Sequence, residues 1–383
     1  MNMDRFFLLC LIVTVLWQLA KPYRRQLRRM WQRSQARLPR RWKPKSPHDC
    51  ADCRATVERV ALPDPQKVVP WSARKSKRGP KKRVKTDGFA CPRVGCDYFG
   101  ITDETIHALV GTGFTDRAKK IQRFGCQACG QTFSSRRGTP LYHLKSDADE
   151  VEMVLWFLAE GLDQAVLVRY TGRAEATIAR WMERAGEHAQ GWHRHYLRHL
   201  IPVVIQRDEL HTRVRTIAKA RWVWLAIDPI SKLIPALHLG GRTNADAFSL
   251  LHQLKRTLRP DWVPVFLSDG LRSYFYAITA HFGHWFRPAR ARTDHWQVDA
   301  DLLYGQLVKR RQRRKLVYAI TRMMCGKRKH LRVRLKEVGF SGLIQTAFIE
   351  RVNLTLRRSV APLMRKTWSL AQSEPALLMH LEW

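Results

Sequence analysis

Apolar and polar positions follow different rhythms along this chain. Between 148 and 189 the rhythm is helical. Val151, Val154, Leu155, Phe157 and Leu158 recur at intervals of three and four, behind the acids Asp147, Asp149 and Glu150, which suit the positive end of a helix. Gly161 interrupts this stripe. A second short helix is expected over 162–170, a turn at Thr171-Gly172-Arg173, and a third helix over 175–189 with Ile178, Trp181 and Met182 inward. From 203 onward short continuous apolar runs take over, the pattern of strands covered on both faces. Strands are expected over 203–207, 221–227, 233–239 and 263–267, with a short one near 285–287. Helices are expected over 244–258 and 273–282, and another includes 346–354.

Helix, glycine turn, helix, short turn, helix fits a helix-turn-helix unit over 145–197. Its third helix would expose Arg173, Glu175, Thr177, Arg180 and Arg184, with Arg180 and Arg184 as candidate DNA contacts. A purely structural three-helix unit has the same pattern. Three meandering strands, then helix, strand and helix, is the order of an RNase H-like core, placed at 200–370.

Cysteine spacing sets the region before the helices apart. Cys91-x4-Cys96 and Cys126-x2-Cys129-Gly130 supply two thiol pairs. Two such knuckles can close a tetrahedral zinc site, which stands in for a core too small to fold alone. A zinc ribbon over 89–140 is expected; four buried free thiols are the alternative. His48, Cys50 and Cys53 offer a partial second site or a substitute for one pair.

Charge narrows the partner. Lys and Arg number 69 against 32 acids, a formal net charge of +37. That excess favours a polyanion: DNA, RNA or an anionic membrane. Residues 6–20 are almost wholly apolar but fall short of the roughly 20 that span a bilayer. Lys21, Arg24, Arg25, Arg28 and Arg29 follow, and would keep the body cytoplasmic if the run were an anchor. Its shortness favours a packed extension, or a true start at Met30, over membrane association. The extension covers 1–45, a basic linker 46–88. A base-rich insertion, 300–338, carries Lys309-Arg310-Arg311-Gln312-Arg313-Arg314-Lys315, either a solvated face or a track for a phosphate backbone. A tail follows at 371–383.

Against this charge, acids closing apolar runs stand out. Asp208 and Glu209 end the run beginning at Val203, Asp269 ends the run from Val263, and Glu350 lies in the late helix. A bare carboxylate in such a place is costly unless paired or bound to a cation. Asp208, Asp269 and Glu350 would form one site for Mg²⁺ or Mn²⁺, hard cations that take oxygen ligands, suited to phosphoryl transfer on DNA. Asp208 would bridge two ions, with Asp269 and Glu350 taking one each. Glu209 stays open as the first ligand in place of Asp208, and Asp228 is a further acid near the sheet. Glu350, Asn353 and Arg357 share a helix face, so Arg357 would hold a DNA phosphate beside the metals. Each acid singly could be a turn cap or a salt-bridge partner.

These stretches resemble DDE transposases of the insertion sequence one family. The resemblance covers roughly 88–370. It is carried by residues 91–133, the helical tract, Asp208-Glu209-Leu210 with Trp222-Val223-Trp224-Leu225-Ala226-Ile227-Asp228, Ser268-Asp269-Gly270 with Tyr274, Arg365-Lys366-Thr367, and above all Ile349-Glu350-Arg351-Val352-Asn353-Leu354-Thr355-Leu356-Arg357. It implies an enzyme that binds the terminal inverted repeats of a mobile element as a homo-oligomer on double-stranded DNA. Such an enzyme cleaves the ends and joins the 3′-hydroxyls to target DNA, in the cytoplasm at the bacterial nucleoid. The apolar start and the end at Trp383 depart from that family. They keep open a non-catalytic, sequence-specific DNA-binding regulator, a decayed or domesticated relative.

Overall fold

The computed structural model describes residues 63–74, 84–118, 121–289, 292–313 and 315–383. The apolar start, the arginine-rich extension, Cys50, Cys53 and most of the linker lie outside the described residues. Those described belong to one compact unit, Thr56–Trp383, of mixed α/β and multidomain build.

The first layer is a small antiparallel sheet of β1 (Leu109–Asp116), β2 (Ile121–Cys126) and β3 (Thr132–Ser134). Its core is thin: Tyr98, Ile101, Leu109, Phe124 and Phe133 pack with the cysteines. Next come α1 (Ala148–Ala159), α2 (Gln164–Thr171) and α3 (Glu175–Tyr196). The starts of α1 and α2 are set by Asp147 and Asp163, whose carboxylates accept from the backbone N–H groups of Asp149 and Ala165. Gly172, at φ +68°, stops α2 in the left-handed conformation that a β-carbon disfavours. Val151, Val154, Leu158, Leu167, Ile178 and Trp181 close the three-helix core. The third helix runs to Tyr196, seven residues past its expected end.

The large sheet has six strands: β4 (Val204–Val214), β5 (Ile217–Ile227), β6 (Ala236–Gly240), β7 (Val265–Ser268), β10 (Tyr304–Gln312) and β11 (Lys315–Cys325). β8 (Gly283–Phe286) and β9 (His295–Val298) form a separate ribbon. The sheet order is β11-β10-β7-β4-β5-β6. β4, β5 and β6 form the expected antiparallel meander. Helix α4 (Asn244–Thr257) leads into β7, which lies parallel to β4, and α5 (Arg272–His281) leads toward β10, parallel to β7. One face is covered by α4 and α5, with Tyr274 of α5 packed against Ile205, Trp224, Phe266 and Tyr304. The other is covered in two patches. Leu331 and Leu335 of α6 (Arg328–Glu337) pack on Val204 and Val265, and Ile349 of α7 (Ala347–Ser359) packs near Leu210, Val223 and Leu225.

Three expectations need correction. β4 does not stop before Asp208 but continues to Val214, because its outer half still pairs with β5. The basic stretch within 300–338 is no insertion beside the core; it builds two strands of the main sheet and α6. The 371–383 tail is ordered. Ser373 caps α8 (Glu374–Glu382), which lies on α3, and Glu382 bonds Gln190 and His193. Gly186 leaves the room for this crossing, since a β-carbon there would sit 2.3 Å from the Met379 carbonyl oxygen.

Candidate metal centres and their surroundings

Cysteine geometry comes first because it is simplest. Cys91 Sγ lies 3.5 Å from Cys129 Sγ, and Cys96 Sγ 3.9 Å from Cys126 Sγ. All four sulfurs fall within 4.8 Å of one another. Both knuckles turn on left-handed glycines, Gly95 at φ +86° and Gly130 at φ +73°. Burial pushes the thiols of Cys91 and Cys96 up, the latter to about 11. Burial acts the same way on Cys129, but the Gln131 N–H and the neighbouring thiols outweigh it and hold Cys129 below the ordinary range. The cluster is compatible with a zinc site: four soft donors, close together, in a module with little core of its own.

The acid cluster forms where one strand outlasts its neighbour. The β4–β7 ladder ends at Arg207 opposite Ser268, so Asp208 and Asp269 are the next residue on each of two parallel strands. Here the chain order of the sheet reverses, and the carboxyl ends of such strands open onto a crevice. Oxygens of Asp208, Glu209 and Asp269 all lie within 4.8 Å of one another. Strand alternation turns Asp208 and Glu209 to opposite faces. Glu209 faces α5, where it accepts from Tyr274 Oη at 3.2 Å and pairs with Arg242, itself stacked on Trp222. Asp269 accepts from the Leu271 N–H at 3.0 Å, which shapes the turn into α5.

Asp208 faces α7, and Gln206 explains how that helix is aligned. Gln206 Oε1 accepts from the Ile349 N–H at 3.0 Å, and its amide donates to the Gln345 carbonyl at 3.1 Å. The side chain thus serves one of the free N–H groups of the first turn of α7, whose cap residue Thr346 makes no side-chain cap bond. Two residues along the strand advance about 7 Å, and four along the helix about 6 Å. So the amide of Asn353 reaches Asp208 Oδ2, at 2.7 Å. Burial, then the charge of Glu209, pushes the Asp208 carboxyl up to about 7; Asp269 and Glu350 push the same way. Glu209 is also raised, by burial and Asp269, but Arg242 and Tyr274 pull it back. Glu209 is thus paired with a cation, whereas the side chain that bonds Asp208 is a neutral amide.

The remaining expected site residues divide. Glu350 is close enough for Asp208 to feel it but is not in the three-acid group. Its carboxylate is held by Lys309 and by Thr346 Oγ1 at 2.6 Å. Arg357 lies on the same helix face and donates to the Leu363 carbonyl at 3.0 Å. Burial and Arg365 lower its pKa, while Asp208 raises it, so Arg357 borders Asp208. Asp228 accepts from the Ile230 N–H and the Ser231 hydroxyl and shapes the turn after β5. Arg180 is exposed on α3. Arg184 is not on the exposed face. It donates to the backbone carbonyls of Pro140 and Tyr142 and ties α3 to the segment that leads from the ribbon. Arg173 is likewise spent on Glu150, through two bonds of 2.6 and 2.7 Å. Sequence reasoning missed Gln206, Arg242 and Thr346, and set Lys309 in a basic track without pairing it with Glu350. Only Gln206, a polar residue inside an apolar run, gave any signal. No protein-family model matches the chain, and no curated protein is significantly similar to it.

The three-acid donor set suits a hard divalent cation. All the ligand atoms are carboxylate oxygens, and the like charges crowd together with one carboxyl driven toward its protonated form. Among the described residues, no helix is long and apolar enough to cross a membrane.

Proposed function

We propose that this protein is a DNA transposase of the DDE class, with an RNase H-like catalytic layer, a zinc ribbon and a helix-turn-helix unit. One observation carries the reading: Asp208 and Asp269, 61 positions apart, stand side by side where the pairing of two parallel strands ends, and α7 delivers Asn353 to one of them. The strand order agrees with an RNase H-like sheet: a three-strand meander, then two parallel strands on the far side of the first. The resemblance to the insertion sequence one family supplies the reaction class, and the charge of +37 supplies the polyanion partner.

Mg²⁺ or Mn²⁺, when bound, stabilises the charge that develops on the phosphodiester oxygens during in-line displacement. Asp208, Glu209 and Asp269 would hold the cation. Asn353 fixes the orientation of Asp208, and Tyr274 and Arg242 fix that of Glu209. Arg357 borders Asp208 on the α7 side, with Arg365 near it, and both suit the DNA backbone. On the β10 side, Lys309 begins the exposed basic hairpin, a second place for phosphates. Glu350 is the third acid by resemblance; it belongs to the site's charge, and its place as a ligand depends on leaving Lys309. Arg180 is the α3 residue open to a DNA groove. Action on chromosomal DNA agrees with a cytoplasmic location, and pairing of two element ends with a homo-oligomer.

The test is strand cleavage and joining by purified protein with Mg²⁺, on DNA carrying the sequences that flank the coding frame. The account expects both reactions, and their loss in Asp269→Asn with DNA binding kept. Sequence-specific binding without cleavage in Mg²⁺ or Mn²⁺ identifies a non-catalytic regulator instead.

A further inference from the structure

Directly behind the acid cluster lies a cation with no ordinary partner. Arg207 precedes Asp208 on β4 and pairs across the ladder with Ser268, which precedes Asp269. Its side chain is fully buried; Nε, Nη1 and Nη2 make no hydrogen bond of ordinary geometry, and the Tyr304 hydroxyl gives the guanidinium only weak support. Three rings surround the guanidinium instead, with centres at 4.7 Å for Tyr274, 5.0 Å for Phe266 and 5.2 Å for Tyr304. A guanidinium does not give up its proton in a protein. Burying it is costly, the ring faces recover only part of that cost, and an apolar side chain of similar volume serves a core at least as well. Stability does not account for this residue.

Its surroundings lead back to the acids. Tyr274, one wall of the cage, donates to Glu209. Tyr304, another wall, is 2.7 Å from the hydroxyl of Ser268, beside Asp269. Burial lowers the Arg207 pKa; Tyr304 and Tyr274 oppose this most, and Asp269, the one acid among the opposing groups, opposes it least. The aromatic cage thus holds the cation and the carboxylates in one rigid frame. We infer that Arg207 is a fixed counter-charge behind Asp269, a positioning residue that holds the cage walls under the acid cluster and sets how tightly Asp208, Glu209 and Asp269 bind a divalent cation. This rests on the cluster being a cation site. A permanent positive charge behind the acids weakens their hold on a further cation, so Arg207 keeps binding reversible while it reduces the repulsion among them.

A Mn²⁺ titration of the zinc-loaded full chain, followed by the paramagnetic signal of free Mn²⁺, tests this. Arg207→Met should bind Mn²⁺ about fivefold or more tightly than the natural protein, with an unchanged or higher melting temperature. Arg207→Lys, which keeps the charge, should stay within about twofold. A merely structural arginine gives the opposite sign: its loss loosens the frame and weakens binding. Equal or weaker Mn²⁺ binding by Arg207→Met overturns the inference, and so does failure of that variant to fold. If the natural protein and Asp269→Asn bind Mn²⁺ alike, it is the cation site itself that fails.

Discussion

Replacing Asp208 by asparagine should stabilise the metal-free protein while destroying its proposed activity. Burial and the neighbouring acids move this carboxyl from an ordinary 3.8 to about 7. Holding it ionised in the fold therefore costs roughly 4 kcal/mol. A carboxyl whose folded pKa lies above its unfolded value favours the fold when protonated, so stability falls as pH rises from about 4 through about 7, and the full cost is present above that. Asparagine keeps the shape and removes the charge; its one oxygen can accept from the Asn353 amide or from the Glu209 N–H, so one of these two bonds is lost and offsets part of the gain. After allowance for relaxation and solvent, we expect a gain of about 1–3 kcal/mol at mildly alkaline pH, or roughly 3–10 °C in melting temperature. Calorimetry of both proteins across this pH range checks it. The gap should narrow toward pH 4, and Mg²⁺ should raise the melting temperature of the natural protein but not of Asp208→Asn. An asparagine variant no more stable at alkaline pH, or a gap that widens in acid, refutes the reasoning.

Further outcomes follow from the surrounding contacts. The thiols of Cys91 and Cys96 lie above the ordinary range, so zinc must displace protons, and its affinity should fall steeply as pH is lowered; chelator competition at two pH values measures this, and a pH-independent affinity contradicts it. Gly186→Ala should cost about 1–3 kcal/mol in denaturant unfolding, because the new methyl meets the backbone of Met379, which cannot turn aside. Arg180→Ala should weaken DNA binding and leave stability within about 0.5 kcal/mol, whereas Arg184→Ala should cost about 1–3 kcal/mol through its lost carbonyl bonds. Equal behaviour of the two arginine variants in both assays removes the assignment of Arg180 to the DNA face.

What the sequence made legible had local causes. The capping acids Asp147 and Asp163, the apolar stripe of α1 and the left-handed Gly172 each act within a few residues, and the three helices appear where expected. The cysteine spacing carries its own geometry, and so does the run of three meandering strands. The β10–β11 hairpin was hidden because much of it is solvated on both faces: Arg310 and Leu316 to Ile320 are all exposed, so no alternation marks it. The true length of β4 was hidden because the acids look like an end, although pairing with β5 carries the strand past them. Arg207 reads in sequence as one more base in a basic chain; only the closure of three rings from β7, α5 and β10 sets it apart. The partners of Glu350 depend on Lys309, 41 positions away, through a strand that was itself missed.

Iron-directed cleavage tests the central claim most directly. Fe²⁺ placed in a Mg²⁺ site, with ascorbate and peroxide, cuts the backbone nearest the metal. The account predicts two cuts in the same protein, near 208–209 and near 269. Both should be suppressed by Mg²⁺ and absent in Asp269→Asn. Cuts confined to one of these stretches, or unaffected by Asp269→Asn, would mean that these distant acids do not hold a shared cation.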